Sequence, residues 1–150
     1  MFSAVQEQGR AALIPYITAG HPVGDSTATV LHALADSGAD LIELGLPFSD
    51  PLADGPTIQS SSFSSLQNGT KVENVLAELS LFRAEREIPV VLFTYLNPVL
   101  RYGLEDFLLD ATESGASGLL LTDLPVGADY GVERAVAAVS YTHLTLPTKA

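Results

Sequence analysis

The segment ELGLPFSDPLADGP, residues 43–56, sets three carboxylates, Glu43, Asp50 and Asp54, on a proline-rich stretch beside an apolar run. Leucine and isoleucine flank Glu43, and apolar surroundings disfavour the charged form of a carboxyl group. A glutamate with a raised pKa can donate and then accept a proton near neutral pH. A structural ion pair is the alternative explanation. Glu43 is therefore the first candidate for acid–base catalysis.

Asp54 ends the same segment, where its carboxylate could accept a hydrogen bond from a substrate N–H or O–H group. The competing interpretation is a turn or an N-cap for a helix that opens near Pro56, because proline is favoured in the first helical turn. That structural explanation applies more strongly to Asp50. It applies also to Asp123, which follows a later apolar run. Spacing alone leaves both interpretations open.

Aromatic and polar residues stand within or after the other apolar runs. Tyr16, Phe93 and Tyr95 could line a pocket for a flat aromatic substrate, although aromatic residues in strands more often belong to the core. Asn97 and Pro98 follow in a predicted loop, where polar residues can bind a ligand or a partner.

The elements that must position these residues follow from the apolar pattern. Four nearly continuous apolar runs predict buried parallel strands at 13–18, 41–46, 89–95 and 118–123. Helical spacing between them predicts helices at 25–38, 71–86, 104–114 and 129–138. We predict Asp25 and Thr70 as N-caps, and Gly38 and Gly115 as the residues that follow helix ends.

This order, strand and helix in alternation, predicts an α/β fold with a parallel sheet. The similarity of DSGADLIELGLP (36–47) to ESGASGLLLTDLP (113–125) indicates a repeated βα unit. Pattern alone leaves open a doubly wound sheet or part of a (β/α)8 barrel. The first usually carries G-x-G-x-x-G after its first strand, which is missing here. The second needs about 250 residues, so four units would be half of it.

Composition narrows the function classes. A chain of 150 residues is long enough for one domain with a core. A net charge of −11 argues against nucleic acid and anionic membranes as partners. With no cysteine and three scattered histidines, we expect no metal site. Neither a membrane span nor a signal peptide is indicated, so we expect a cytoplasmic protein.

The segment ELGLPFSDPLADGPTIQ (43–59) strongly resembles the signature of the tryptophan synthase alpha subunit family. The agreement runs in order and with compatible spacing from about residue 2 to residue 138. It includes LIPYITAGHP (13–22), SGADLIELG (37–45), LFTYLNPVLRYG (92–103) and LLLTDLPV (119–126).

The resemblance implies a (β/α)8 TIM barrel, of which about the first four βα units are present, and a carbon–carbon lyase of tryptophan biosynthesis. Indole-3-glycerol phosphate would be split into indole and glyceraldehyde 3-phosphate in a retro-aldol step. Glu43 matches the general acid and base, and Asp54 matches the aspartate that holds the indole N–H. Tyr16, Phe93 and Tyr95 match positions around the indole.

The resemblance also implies a partner. Pro47, Asp50, Asn97 and Pro98 match surface that meets the beta subunit in an alpha2-beta2 tetramer. That partner carries pyridoxal phosphate, and the alpha chain itself needs no cofactor.

Members of the family continue for about four further βα units, as the size of the barrel requires. We therefore expect residues 1–138 to be the N-terminal half of a barrel. The segment 139–150 resembles a translated sequencing adapter, and we expect it to be a non-native tail. We expect the 150-residue polypeptide to be inactive or nearly so. Two alternatives stay open: a non-catalytic module that binds the beta subunit, and another phosphate-binding TIM-barrel enzyme.

Overall fold

The computed structural model of the protein describes residues 2–23, 26–125 and 127–138, and the proposed tail at 139–150 lies outside them. Helices and strands alternate along the described chain. They are α1 (Phe2–Glu7), β1 (Tyr16–Thr18), α2 (Thr27–Asp36), β2 (Ile42–Gly45), α3 (Pro56–Gln67), α4 (Val72–Glu85), β3 (Val90–Thr94), α5 (Leu96–Tyr102), α6 (Leu104–Glu113), β4 (Gly118–Leu121) and α7 (Tyr130–Ala138).

The four strands form one parallel sheet in the order β1-β2-β3-β4. Each connection therefore moves one strand further in the same direction. A doubly wound sheet instead reverses its strand order at a switch point, whereas a (β/α)8 barrel adds its strands consecutively. The predicted α/β fold is confirmed, and the strand order favours a sector of a barrel over the doubly wound alternative.

The sheet has one covered face and one half-open face. Alternate strand residues on the covered face join the helices in a single core, whose fully buried members include Leu31, Ile42, Leu44, Leu79, Phe82, Leu92, Phe107 and Leu119. The half-open face carries the partly buried side chains of Tyr16, Glu43, Val91, Phe93 and Leu120. The candidate acid–base residue therefore lies opposite the helical layer.

The predicted strands are present but shorter than the apolar runs. The range 13–18 was too long, since Leu13 and Ile14 are exposed and β1 begins at Tyr16. The Leu13 N–H donates to the Asp40 carboxylate at 2.8 Å and not to a neighbouring strand. Pro15 has no N–H to donate to the sheet.

The predicted helices agree with the structure to within two residues at each end. Gly38 and Gly115 follow α2 and α6 with φ of 86° and 82°, as predicted for left-handed residues after a helix. The prediction of Thr70 as an N-cap is wrong, because Lys71 occupies that position in α4. Ser26 is the N-cap of α2, and the predicted cap Asp25 lies outside the described residues.

Asn97 and Pro98 were predicted in a loop, and the structure places them in the first turn of α5. Proline is tolerated there because the first turn needs no N–H donor for the helix. The Asp123 carboxylate accepts a hydrogen bond from Leu96 N–H at 2.7 Å and so caps the start of α5 from beyond β4. The loop-cap interpretation of Asp123 is thereby supported.

A second helix is capped across the structure in the same way. The Glu78 carboxylate of α4 accepts a hydrogen bond from the Ala28 N–H in the first turn of α2, at 3.0 Å. Helix α2 packs against α4, so this contact adds a polar attachment to their apolar packing.

Candidate functional site

Glu43 lies in β2 on the half-open face, between Tyr16 of β1 and Val91 of β3 in the parallel register. Among the described residues, no hydrogen bond or ion pair reaches its carboxylate, which speaks against a structural ion pair. Burial among apolar neighbours raises the pKa of Glu43 above that of an ordinary glutamate. Such a carboxyl group can both hold and release a proton on the half-open face of the sheet.

Asp54 lies in the loop that joins β2 to α3. Its carboxylate Oδ2 accepts a hydrogen bond from the Tyr95 hydroxyl at 3.0 Å. The N-cap of α3 is Gly55, with no side-chain cap, and Pro56 opens the helix. The competing interpretation of Asp54 as an N-cap is therefore contradicted, and its carboxylate faces the end of β3.

The predicted aromatic residues form two contacts. Tyr16 and Phe93 meet edge to face, with ring centroids 5.2 Å apart and an interplanar angle of 76°. Tyr95 packs against Phe48 with centroids 5.2 Å apart. Gly45 allows the first arrangement, since a Cβ atom at this position would lie 2.1 Å from the Tyr16 hydroxyl oxygen.

The charges of both carboxylates affect the pKa of Tyr16. Burial is the main cause that raises the pKa of the Tyr16 hydroxyl, and the negative charges of Asp54 and Glu43 raise it further. Tyr16 thus stands within the field of both acids. The arrangement offers a proton donor and acceptor, a second carboxylate able to hold an N–H group, and an aromatic pair against which a flat ring can pack.

The sequence analysis missed a set of hydroxyl groups beside Tyr16. Thr18 Oγ1 and Ser61 Oγ lie 2.6 Å apart, and the Tyr16 hydroxyl is 3.4 Å from Thr18 Oγ1. These three residues line a cavity of about 720 Å³ together with His21. The serines at 60–62, 64 and 65 were the available signal, because small side chains let α3 approach β1 closely.

The residues predicted to meet a partner lie around α5, and they differ in exposure. Pro47 is buried and Pro98 half-buried, and both line one cavity of about 410 Å³. Asn97 and Asp50 are exposed outside that cavity, and Asp50 accepts a hydrogen bond from the adjacent Ser49 hydroxyl at 2.6 Å. The structure brings the two prolines together and leaves the other two residues at the rim.

Metal clusters and membrane-spanning helices are both absent from the described part of the chain. No cluster of three or more histidine, aspartate or glutamate residues there could hold a metal ion. No helix in residues 2–23, 26–125 and 127–138 is long and apolar enough to cross a bilayer.

Comparison with known proteins places this chain in a family. The family model described as "Tryptophan synthase alpha chain" matches residues 2–150. The tryptophan synthase alpha chain of Cyanothece sp. is 46% identical over 149 residues, which cover 98% of this chain and 56% of the relative. The chain spans about half the length of the curated relatives it matches.

Solved structures agree in fold, and the partial barrel is confirmed. Tryptophan synthase subunit alpha from Legionella pneumophila superposes with a TM-score of 0.89 at 39% identity, covering 94% of this chain and 54% of that one. A chain of the tryptophan synthase complex from Pyrococcus furiosus gives a TM-score of 0.85 at 42% identity, covering 93% and 58%. The chain therefore belongs to the tryptophan synthase alpha chain family.

Proposed function

We propose that this chain contributes the acid–base half of a carbon–carbon lyase site, which splits indole-3-glycerol phosphate into indole and glyceraldehyde 3-phosphate. The observation that carries the proposal is that Glu43 lies beside Tyr16 in the sheet and that Asp54 is near enough for its charge to act on the same tyrosine. One carboxyl group has a pKa raised by burial, and the other is held by a tyrosine hydroxyl.

The retro-aldol step needs one proton delivered to carbon and one removed from oxygen. In the proposal, Glu43 in its neutral form gives a proton to C3 of the indole ring. Its carboxylate then takes the proton of the glycerol hydroxyl, whose O–H electrons form the carbonyl of the aldehyde product. The C–C bond breaks and its electrons return to the indole. A carboxyl group with a shifted pKa can serve both steps in turn.

Asp54 would accept a hydrogen bond from the indole N–H and stabilise the positive charge that develops on the ring. Tyr16 and Phe93 would pack against the flat ring on the half-open face. Charge stabilisation of this kind acts in the transition state and therefore raises the rate of the chemical step.

The proposal extends to assembly. Pro47, Asp50, Asn97 and Pro98 would meet the beta subunit of tryptophan synthase. Pyridoxal phosphate would belong to that partner, and the lyase step itself would need no cofactor. We place the assembly in the cytoplasm.

The test is a chimera of residues 1–138 joined to the part of the Cyanothece alpha chain that follows the matched region. We expect it to release indole from indole-3-glycerol phosphate, and we expect E43Q and D54N to abolish that release. The 150-residue chain is assayed in parallel, and we expect it to release little or no indole. A well-folded chimera that releases no indole would overturn the proposal.

A second candidate is a non-catalytic module that binds the beta subunit. The shared cavity of Pro47 and Pro98 favours it, because a proline that follows β2 and a proline of α5 converge on one surface. Activation of a purified beta subunit by the 150-residue chain, without release of indole, would support this candidate over the lyase.

A further inference from the structure

The loop at residues 47–54 carries Asp54 and is exposed at its tip. Leu52 at its tip is 88% exposed, and Asp50 and Ala53 are exposed as well. The Gln59 side-chain amide donates to the Asp54 carbonyl oxygen at 3.0 Å and so holds the backbone of the loop. That contact leaves the direction of the carboxylate undetermined.

Tyr95 contacts the loop at both ends. Its hydroxyl accepts a hydrogen bond from the Ala53 N–H at 3.0 Å and donates one to Asp54 Oδ2 at 3.0 Å. Its ring packs against Phe48 near the start of the loop. A tyrosine hydroxyl has one proton to donate and lone pairs to accept, so both bonds can exist together.

Tyr95 itself is placed to act through Asp54. Its exposed fraction is 5%, so it offers a ligand very little surface. It directly follows β3 and is the N-cap residue of α5, which fixes its backbone between two regular elements. Among the described residues, its hydroxyl is the group that fixes one carboxylate oxygen of Asp54.

We propose that Tyr95 is a positioning residue, which closes residues 47–54 onto the end of β3 and holds Asp54 Oδ2 so that Oδ1 faces the substrate N–H. The proposal rests on the lyase function above and assigns Tyr95 a role different from that of a wall of the indole pocket. A substrate wall would affect binding, whereas a positioning residue affects the charge stabilised in the transition state.

The first test is amide hydrogen exchange of the 150-residue chain by NMR, comparing Tyr95→Phe with wild type. The substitution keeps the ring and removes the hydroxyl. We expect the Ala53 amide to exchange about tenfold faster, because it loses its acceptor. Tyr102→Phe is the matched control, since that hydroxyl donates to Asp110 at 2.5 Å in α6. It should leave the Ala53 amide unchanged.

The second test removes the acceptor of the same hydrogen bond and leaves Tyr95 in place, so it stands even if Tyr95→Phe fails to fold. Burial and donation to Asp54 both raise the pKa of the Tyr95 hydroxyl. In Asp54→Ala we expect this pKa to fall towards the ordinary tyrosine value, measured by NMR titration of the labelled ring. An unchanged titration would overturn the proposed hydrogen bond.

The third test separates positioning from substrate contact. In the chimera, Tyr95→Phe should lower kcat about tenfold with KM within about twofold, as expected for an interaction made in the transition state. A higher KM with unchanged kcat would overturn the positioning role and make Tyr95 a wall. If wild type releases no indole, the lyase proposal fails, and the exchange and titration results still decide whether Tyr95 holds Asp54.

Discussion

Replacing Gly45 by alanine should displace Tyr16 from the candidate site. The added Cβ atom would lie 2.1 Å from the Tyr16 hydroxyl oxygen and 2.6 Å from Cζ. Ordinary contacts between carbon atoms are about 3.5–4.0 Å, so the ring must swing aside. The half-open face leaves room for that movement, and we therefore expect the chain to fold.

The expected cost follows from the contacts that the ring would lose. Loss of the edge-to-face contact with Phe93 removes about 0.5–1.5 kcal/mol. A displaced rotamer of Tyr16 costs about 0.5–1.5 kcal/mol. Alanine in place of glycine in a strand offsets about 0.5–1 kcal/mol through the reduced entropy of the unfolded chain. The balance is a destabilisation of about 1 kcal/mol.

Urea unfolding followed by circular dichroism measures this difference. With an m value of about 1–3 kcal/mol/M, the midpoint should fall by about 0.5 M. Gly118→Ala is the matched control on the same face, because its Cβ would lie 3.4 Å from Val91 Cγ2, within ordinary contact. The control should equal or exceed wild type in stability.

Gly45→Ala should also bind the substrate more weakly, because Tyr16 would no longer pack beside Glu43. Equal midpoints for the two alanine variants, together with unchanged NMR contacts between the rings of Tyr16 and Phe93, would refute the placement of Tyr16 over Gly45.

Three predictions concern the pH dependence of stability. Hydrogen bonds from Arg10 and from a backbone N–H lower the pKa of Asp40 to about 2. The stabilisation that these bonds provide is therefore present above the ordinary carboxyl range and is lost as the pH falls towards 2. Asp40→Asn should lower the urea midpoint at pH 7, and its difference from wild type should shrink in acid. Donation to Asp110 raises the pKa of the Tyr102 hydroxyl to about 12. The stabilisation from this hydrogen bond is therefore present below the ordinary tyrosine range and is lost as the pH rises through 12. Tyr102→Phe should equal wild type in stability only at that alkaline end. Burial raises the pKa of Glu43, which penalises its charged form above the ordinary carboxyl range; Glu43→Gln should exceed wild type in stability at pH 7 but not at pH 3, and a destabilised variant at pH 7 would contradict this.

The strands and the main helices could be predicted because their signals are local. Continuous apolar runs mark strands covered by helices, and helical spacing marks the faces that reach the core. Helix α5 escaped prediction because its start is stabilised by Asp123, 27 residues along the chain from Leu96. Thr70 was mistaken for an N-cap, although its hydroxyl is buried with no partner among the described residues.

The candidate site also contains residues that local sequence could identify and residues that it could not. Glu43 could be singled out because a glutamate within an apolar strand is unusual in itself. The role of Asp54 could not be decided from spacing, since the contact that excludes an N-cap comes from Tyr95, 41 residues away. Likewise, no local pattern pairs Ser61 with Thr18, which lies 43 residues earlier.

The caps that Asp123 and Glu78 provide for helices of other βα units bear on how the chain folds. A stack of repeats that touch only through apolar surfaces can unfold in steps, each unit opening with its own stability. Here the first turn of α5 depends on a carboxylate beyond β4, and the first turn of α2 depends on one in α4. Opening one unit therefore removes the carboxylate partner of an N–H group in another. We expect polar contacts of this kind to join neighbouring units into one cooperative transition, so that the βα repeat seen in the sequence gives no separate steps in the unfolding curve.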